Sequence, residues 1–254
     1  MVFFKKKYKT DRDGLSVETM MNGARLITAA EPKNPVSEQF RTIRTNIEFA
    51  SVAKGNVKTL LVSSALPSEG KSTVTANLAV VHAQQGKKVL LVDTDLRRPT
   101  VAKTFGINNN YGLTNYLVDM NSEVEAIINH TSMTTLDVVT SGPVPPNPAE
   151  LLASSRMTHL IAELWQRYDL VIFDVPPFLM VTDAQVLMSK MDGVAVVVSG
   201  RQTTKGALQR TADMLKLADA PVLGFIYNDR TRKKNSGNGY GYGYGYGYGY
   251  GETK

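Results

Sequence analysis

Ser64-Ala65-Leu66-Pro67-Ser68-Glu69-Gly70-Lys71-Ser72-Thr73 decides how the rest of the chain is read. Just before and into it, Thr59–Ser63 is short and apolar, which suits a buried strand. After it, Val74–Gln85 carries Val74, Leu78 and Val81 at helical spacing and stops at Gly86, a residue fit to cap a helix C-terminus. Gly70, Lys71 and Ser72 therefore fall on a strand-to-helix turn, where free backbone N–H groups and the positive end of a helix dipole face outward. Such a turn holds phosphate. Gly70 lets the backbone approach, Lys71 reaches the β- and γ-phosphates, and the Ser72 hydroxyl is placed to ligate Mg²⁺. Ser68, Glu69 and Thr73 complete the nucleotide-binding loop. The pattern is Walker A with Ala65 in place of the first Gly. An ordinary strand–turn–helix is the bland alternative, and the flanking elements favour the phosphate.

Two more strand ends point the same way. Lys88–Asp93 reads as a buried strand, and Asp95 follows at its exit. In a doubly wound sheet the carboxyl ends of the strands line the ligand crevice, so Asp93 and Asp95 are expected to face the phosphates. Asp93 alone could instead cap the next helix, a reading that leaves Asp95 unexplained. Leu170–Asp174 (LVIFD) is an apolar run ending in a carboxylate, the Walker B arrangement in which the acid holds Mg²⁺ directly or through water. Leu136–Thr140, Gly193–Ser199 and Val222–Tyr227 supply further strands. Short helices are expected near Leu113–Val118 and Glu123–Asn129, and others over Ala149–Ser154, Thr158–Arg167 and Leu208–Leu217. Asn228 and Arg230 end the last strand and are candidates to meet a purine base; a plain polar terminus is the alternative. The fold class is α/β: a P-loop NTPase fold with a doubly wound, mostly parallel sheet and helices on both faces.

The chain divides into a lead-in over 1–33, a catalytic domain over 34–232 and a Gly/Tyr-rich tail over 233–254. The lead-in, with Lys5, Lys6, Lys7 and Lys9, reads as flexible: a solvated tail or a segment drawn to an anionic membrane surface. Val36–Ala53 forms a helix whose stripe Val36, Phe40, Ile43, Ile47 and Ala50 is apolar. Glu38, Arg41 and Arg44 recur on its other side, either as a water-facing row or as a self-association surface. In the tail, Tyr240, Tyr242, Tyr244, Tyr246, Tyr248 and Tyr250 alternate with Gly. The Gly face buries nothing and loses the most entropy on ordering, so the tail reads as disordered.

At 254 residues the chain suits one α/β domain, and with no Cys it has neither disulfides nor a thiolate site. No run approaches the roughly 20 apolar residues of a membrane span, and the N-terminus lacks a secretory pattern. A soluble, cytoplasmic protein is expected. The net charge of +6 lies partly in the tails and argues for no nucleic-acid partner. His82, His130 and His159 are scattered and support neither a metal site nor a catalytic triad.

SALPSEGKST (Ser64–Thr73), VLLVDTDLRRP (Val89–Pro99), LVIFDVPP (Leu170–Pro177) and the tyrosine cluster together resemble the bacterial tyrosine kinases of capsular and exopolysaccharide systems. The resemblance is to the Gram-positive kind, in which the kinase is a separate soluble chain. EQFRTIR (Glu38–Arg44) resembles that family's oligomerisation element, and Ser141–Leu152 resembles a further segment. ParA- and MinD-like ATPases, the alternative class of nucleotide-dependent switches acting on a membrane partner, carry an early P-loop Lys where this chain has Leu66. The resemblance implies ATP and Mg²⁺ as cofactors. Lys71 would hold the phosphates, and Ser72 and Asp95 would ligate Mg²⁺ with Asp174 assisting. Asp93 would orient or deprotonate the incoming tyrosine, and Arg97 would steady nearby charge. It further implies autophosphorylation of the tail in trans within a ring-shaped homo-oligomer, an octamer when unphosphorylated. The implied partners are a transmembrane activator of the polysaccharide copolymerase type, which recruits the chain to the inner membrane face, and a cognate tyrosine phosphatase.

Overall fold

The computed structural model describes residues 22–229, so Arg230 and the tyrosine cluster lie outside the described residues. Seven strands form one sheet: β1 Thr59–Ser64, β2 Val89–Asp93, β3 Ile128–His130, β4 Leu136–Val139, β5 Leu170–Asp174, β6 Gly193–Ser199 and β7 Val222–Asn228. Their order is β3-β4-β2-β5-β1-β6-β7, parallel throughout except for β3, which runs antiparallel to β4. Every residue of β1, β2 and β5 is buried. Helices cover both faces, so these strands read as unbroken apolar runs rather than alternating ones.

The helices are α1 Ile27–Ala30, α2 Pro35–Lys54, α3 Lys71–Ala83, α4 Val101–Phe105, α5 Leu113–Val118, α6 Pro148–Ala153, α7 Ser155–Arg167, α8 Asp183–Met188 and α9 Lys205–Leu217. Successive strand residues point to opposite faces. Leu61, Val92 and Phe173 pack with Leu113, Leu160, Leu187 and Leu215 from α5, α7, α8 and α9. Leu60, Leu91 and Ile172 pack on the other side with Phe40 and Ile47 of α2 and Leu78 and Val81 of α3. α2 starts where the sequence says it should: Pro35 opens it, and Asn34 Oδ1 accepts from the Val36 amide at 2.9 Å.

Four expectations need correction. The lead-in is not free up to residue 33. Thr28 is fully buried, and its N–H and hydroxyl both donate to Asn77 Oδ1 at 3.1 and 2.9 Å, while Ala24 N donates to Thr104 Oγ1 at 2.8 Å. Leu26 and Ile27 pack on the core at this seam, so the segment docks on α3 for the ordinary apolar reason. The stretch read as a helix near Glu123–Asn129 is a 3₁₀ turn, Val124–Ile127, that runs straight into the edge strand β3. Short helices α4 and α8 were not foreseen. Finally, Arg44 does not face water: its Nη1 donates to the Val81 carbonyl at 2.7 Å, while Arg41 pairs with Glu38 and donates to the Pro32 carbonyl at 2.9 Å.

Candidate active site

Adjacent strands β1, β5 and β2 bring their carboxyl ends together, and the register sets Asp93 directly beside Asp174. The loop leaving β1 turns into α3 through Gly70, which has φ +91°, and Ser68 is also left-handed at φ +63°. Gly70 is required by its left-handed backbone, and a Cβ there would also stand 2.3 Å from Asn228 Nδ2, displacing that side chain. Asn228 Nδ2 donates to the Glu69 carbonyl at 2.8 Å. Glu69 itself is buried, accepting from the Leu66 amide at 2.9 Å through one carboxylate oxygen and from the Thr203 hydroxyl through the other. Both side chains therefore brace the loop. The Glu69 carboxylate points into the protein rather than toward a ligand, and Asn228, expected at a base, serves here as a prop.

Lys71 opens α3 with its side chain largely buried. Its Nζ lies 3.0 Å from Asp95 Oδ2 and 3.3 Å from Asp174 Oδ1, and it donates to Ser72 Oγ at 3.1 Å. Burial works against the ammonium, but the Asp174, Asp95 and Asp93 charges outweigh it and hold Lys71 protonated well above the usual lysine range. Asp93 stands one layer back. Its Oδ1 accepts from the Asp95 amide at 3.2 Å, and its Oδ2 accepts from the Thr100 and Val101 amides at 3.1 and 3.0 Å. Asp93 thus caps α4 while standing beside the other acids of the cluster. Burial, then the Asp174 and Asp95 charges, pushes its carboxyl up to about 8.

Asp174 is buried, and burial is the main reason its carboxyl is raised, with Lys71 and the Ser72 hydroxyl pulling the other way. Thr75 Oγ1 donates to its Oδ1 at 3.2 Å. Its Oδ2 is buried with no partner. An orphaned carboxylate oxygen beside Asp95 and the Ser72 hydroxyl is a set of hard oxygen donors, which fits Mg²⁺. No group of three or more His or acidic side chains among the described residues forms a metal cage. Mg²⁺ held by one or two carboxylates together with substrate phosphates needs none.

Arg97 forks onto Asp183 at the start of α8, with Nε and Nη2 donating to Oδ2 and Oδ1 at 3.0 and 3.1 Å. Sequence reading missed Asp183, Thr75 and Thr203. For Asp183 a local signal exists, since Thr182-Asp183 before an apolar stretch is a helix-start pattern. It announces the helix and not the partner. The predicted residues Lys71, Ser72, Asp93, Asp95 and Asp174 are brought together. Glu38, Arg41 and Arg44 lie on α2, apart from this cluster.

The ParA family profile, described as "NUBPL iron-transfer P-loop NTPase", matches residues 56–242. The chain is 50% identical over 211 residues to tyrosine-protein kinase YwqD of Bacillus subtilis (strain 168), spanning 83% of this chain and 88% of that protein. Among solved structures it resembles the chimerical protein CapA2B2, with TM-score 0.77 and 36% identity over 85% of this chain and 99% of that one. It also resembles the kinase domain of Escherichia coli tyrosine kinase ETK, with TM-score 0.77 and 33% identity over 85% of each chain. A nucleotide-binding P-loop, three acids from two strand ends around its lysine and kinship at this level place the chain in one family: it is a bacterial tyrosine-protein kinase built on the ParA-type P-loop NTPase fold.

Proposed function

We propose that this kinase transfers the γ-phosphoryl group of ATP to the tyrosines of its own C-terminal run, Tyr240 to Tyr250, in trans between copies, and so regulates capsular or exopolysaccharide synthesis and export. The observation that carries the reading is the buried Lys71 ammonium between Asp95 and Asp174, with Asp174 Oδ2 unpartnered beside it. Phosphoryl transfer asks for positioning and charge neutralisation more than for covalent chemistry. The Gly70–Thr73 backbone cradles the phosphates, and Lys71 exchanges its carboxylate partners for phosphate oxygens. Held by Ser72, Asp95 and Asp174, Mg²⁺ would neutralise charge on the β- and γ-phosphates. The phenol oxygen bonds to the γ-phosphorus, the bond to the β,γ-bridging oxygen breaks, and ADP leaves. The phenolic proton passes to Asp93, whose carboxylate holds a proton more readily than an ordinary one because burial and the Asp174 and Asp95 charges push it up. Arg97 steadies the charge that develops.

The tail suits the substrate role, because Gly on both sides of each tyrosine leaves the ring unobstructed. Six phosphates, each of about −1.5 to −2 charge, add on the order of −9 to −12. Against a chain that starts at +6, this reverses the charge and disperses a ring-shaped oligomer built through Glu38, Arg41 and Arg44. Arg44 must leave the Val81 carbonyl to take part. A membrane-spanning activator of the polysaccharide copolymerase type recruits the chain to the inner membrane face, and a tyrosine phosphatase resets it. No helix among the described residues is long and apolar enough to cross a membrane. The test is to incubate the full chain with ATP, Mg²⁺ and the cytoplasmic segment of a candidate activator and to map phosphotyrosine. Modification across Tyr240–Tyr250 supports the reading; phosphate release without phosphotyrosine overturns it in favour of an ATPase switch.

A further inference from the structure

Asp183 is fully buried, and the salt bridge it makes is to Arg97, whose side chain stays 42% exposed. The pair joins two segments that each carry a carboxylate of the Lys71 cluster. Arg97 sits two residues beyond Asp95 in the turn after β2, and Asp183 opens the helix reached from the turn after β5 and Asp174. As a mere clip between loops this is a poor device, because desolvating a carboxylate roughly offsets its attraction to a guanidinium, and an apolar pair would join the loops as well. What a bidentate fork adds is orientation. With Nε and one N–H of Nη2 committed to Asp183, the remaining N–H donors of the planar guanidinium are held in a fixed direction. Freed of that fork, a long side chain so exposed would spread over many rotamers.

We propose that Asp183 is a positioning residue of the kinase: it locks Arg97 so that its uncommitted N–H edge meets the negative charge of the transferring phosphoryl group. The proposal rests on the role given to Arg97 above. It predicts a loss in the chemical step with little change in ground-state binding, since a wandering Arg97 withdraws an interaction made chiefly in the transition state.

The test uses the full chain with a Gly-Tyr repeat peptide as acceptor and compares wild type, Asp183→Asn, Arg97→Ala and the double variant. Read out are kcat, KM for the peptide, equilibrium binding of a fluorescent ATP analogue, and Tm. Asp183→Asn should lower kcat about 10- to 100-fold, the usual scale for removing a residue that orients an active group. Analogue binding should change less than about threefold, because uniform binding is untouched. The double variant should be no slower than Arg97→Ala alone. Effects that multiply in the double variant, or full kcat in Asp183→Asn, overturn the proposal. Normal turnover by Arg97→Ala instead overturns the role of Arg97 itself, which separates the two failures. If Asp183→Asn does not fold, Arg97→Lys decides: it keeps the charge but cannot form the fork, so undiminished kcat overturns the proposal and a lowered kcat with unchanged analogue binding supports it.

Discussion

The two ends of the sheet use carboxylates to opposite effect. At the end where the strands begin, Asp192 accepts from the Lys58 and Thr59 amides and from the Thr59 hydroxyl at 3.1, 2.9 and 2.9 Å. Asp137 there is bound by the Tyr168 hydroxyl at 2.9 Å and by His130 Nδ1 at 2.7 Å. Each acid is met by donors on its own terms, and its work is to fasten strands. At the end where the strands finish, Asp93, Asp95 and Asp174 share one ammonium, one carboxyl is pushed up to about 8, and Asp174 Oδ2 has no partner. The carboxylates that fasten strands are satisfied, while those at the phosphate loop are short of donors. An acidic cluster short of positive charge is stable enough to fold and ready to take up a cation and phosphate.

The largest expected effect breaks the deficit end outright. Lys71→Met should reduce tail phosphorylation by about 10³-fold or more, the scale of losing a preorganised charge at the transferring group. Circular dichroism should still show the α/β fold, and phosphotyrosine blotting at wild-type levels would remove the site assignment. A paired substitution then sharpens the contrast. Asp174→Asn should lower kcat about 10²-fold while leaving unfolding in urea little changed or shifted upward, since it relieves crowded negative charge. Asp192→Ala should leave kcat alone and cost about 1–3 kcal/mol, the penalty of stranding buried donors. Kinetics and denaturation on the two variants exchange roles if the comparison is wrong.

Proton linkage should separate the ends by sign. Asp93 binds its proton more tightly when folded, about 8 against an ordinary 3.8, so without Mg²⁺ stability falls as pH climbs from about 4 to about 8. His82, buried with neither ring nitrogen hydrogen-bonded, is lowered by burial and then by the Lys87 charge, from 6.5 to about 3. The unfolded chain therefore takes up that proton first, and stability falls as pH drops from about 6.5 toward 3. Each slope has a ceiling of roughly 1.4 kcal/mol per pH unit inside its window. The two windows overlap and oppose each other between about 4 and 6.5, so urea titrations across pH should show Asp93→Asn removing the fall above about pH 6.5 and His82→Phe removing the fall below about pH 4; persistence of either fall in its variant would refute the assignment. The smallest effect tests the brace on the phosphate loop. Gly70→Ala should cost about 1–2 kcal/mol from its left-handed backbone, plus a clash with Asn228 that Asn228→Ala relieves. Thermal melts of the single and double variants measure the recovered part.

How much was legible depends on how local each signal is. Gly70-Lys71-Ser72 and the acids after apolar runs could be read because a strand end and a helix start are written in a few consecutive residues. The helix Leu113–Val118 and the strand Gly193–Ser199 stand at the bounds expected from periodicity. β3 escaped because three residues are too few to show a period, and it pairs only through a turn to β4. The water-facing reading of Arg44 fails because helical spacing gives a direction around the axis, while the Val81 carbonyl that draws it in belongs to another helix.

The sequence by itself determined the fold class, the phosphate loop and the set of acids near it, since these follow from hydrophobic runs and from short motifs whose geometry is fixed by neighbouring residues. Tertiary structure alone decided which groups complete the site. Asp183 lies 86 positions from Arg97, Thr203 lies 134 from Glu69, and Asn228 lies 159 from Glu69. No local propensity encodes such pairs; they exist because parallel strands, joined by long crossovers, deliver distant segments to the same edge of one sheet.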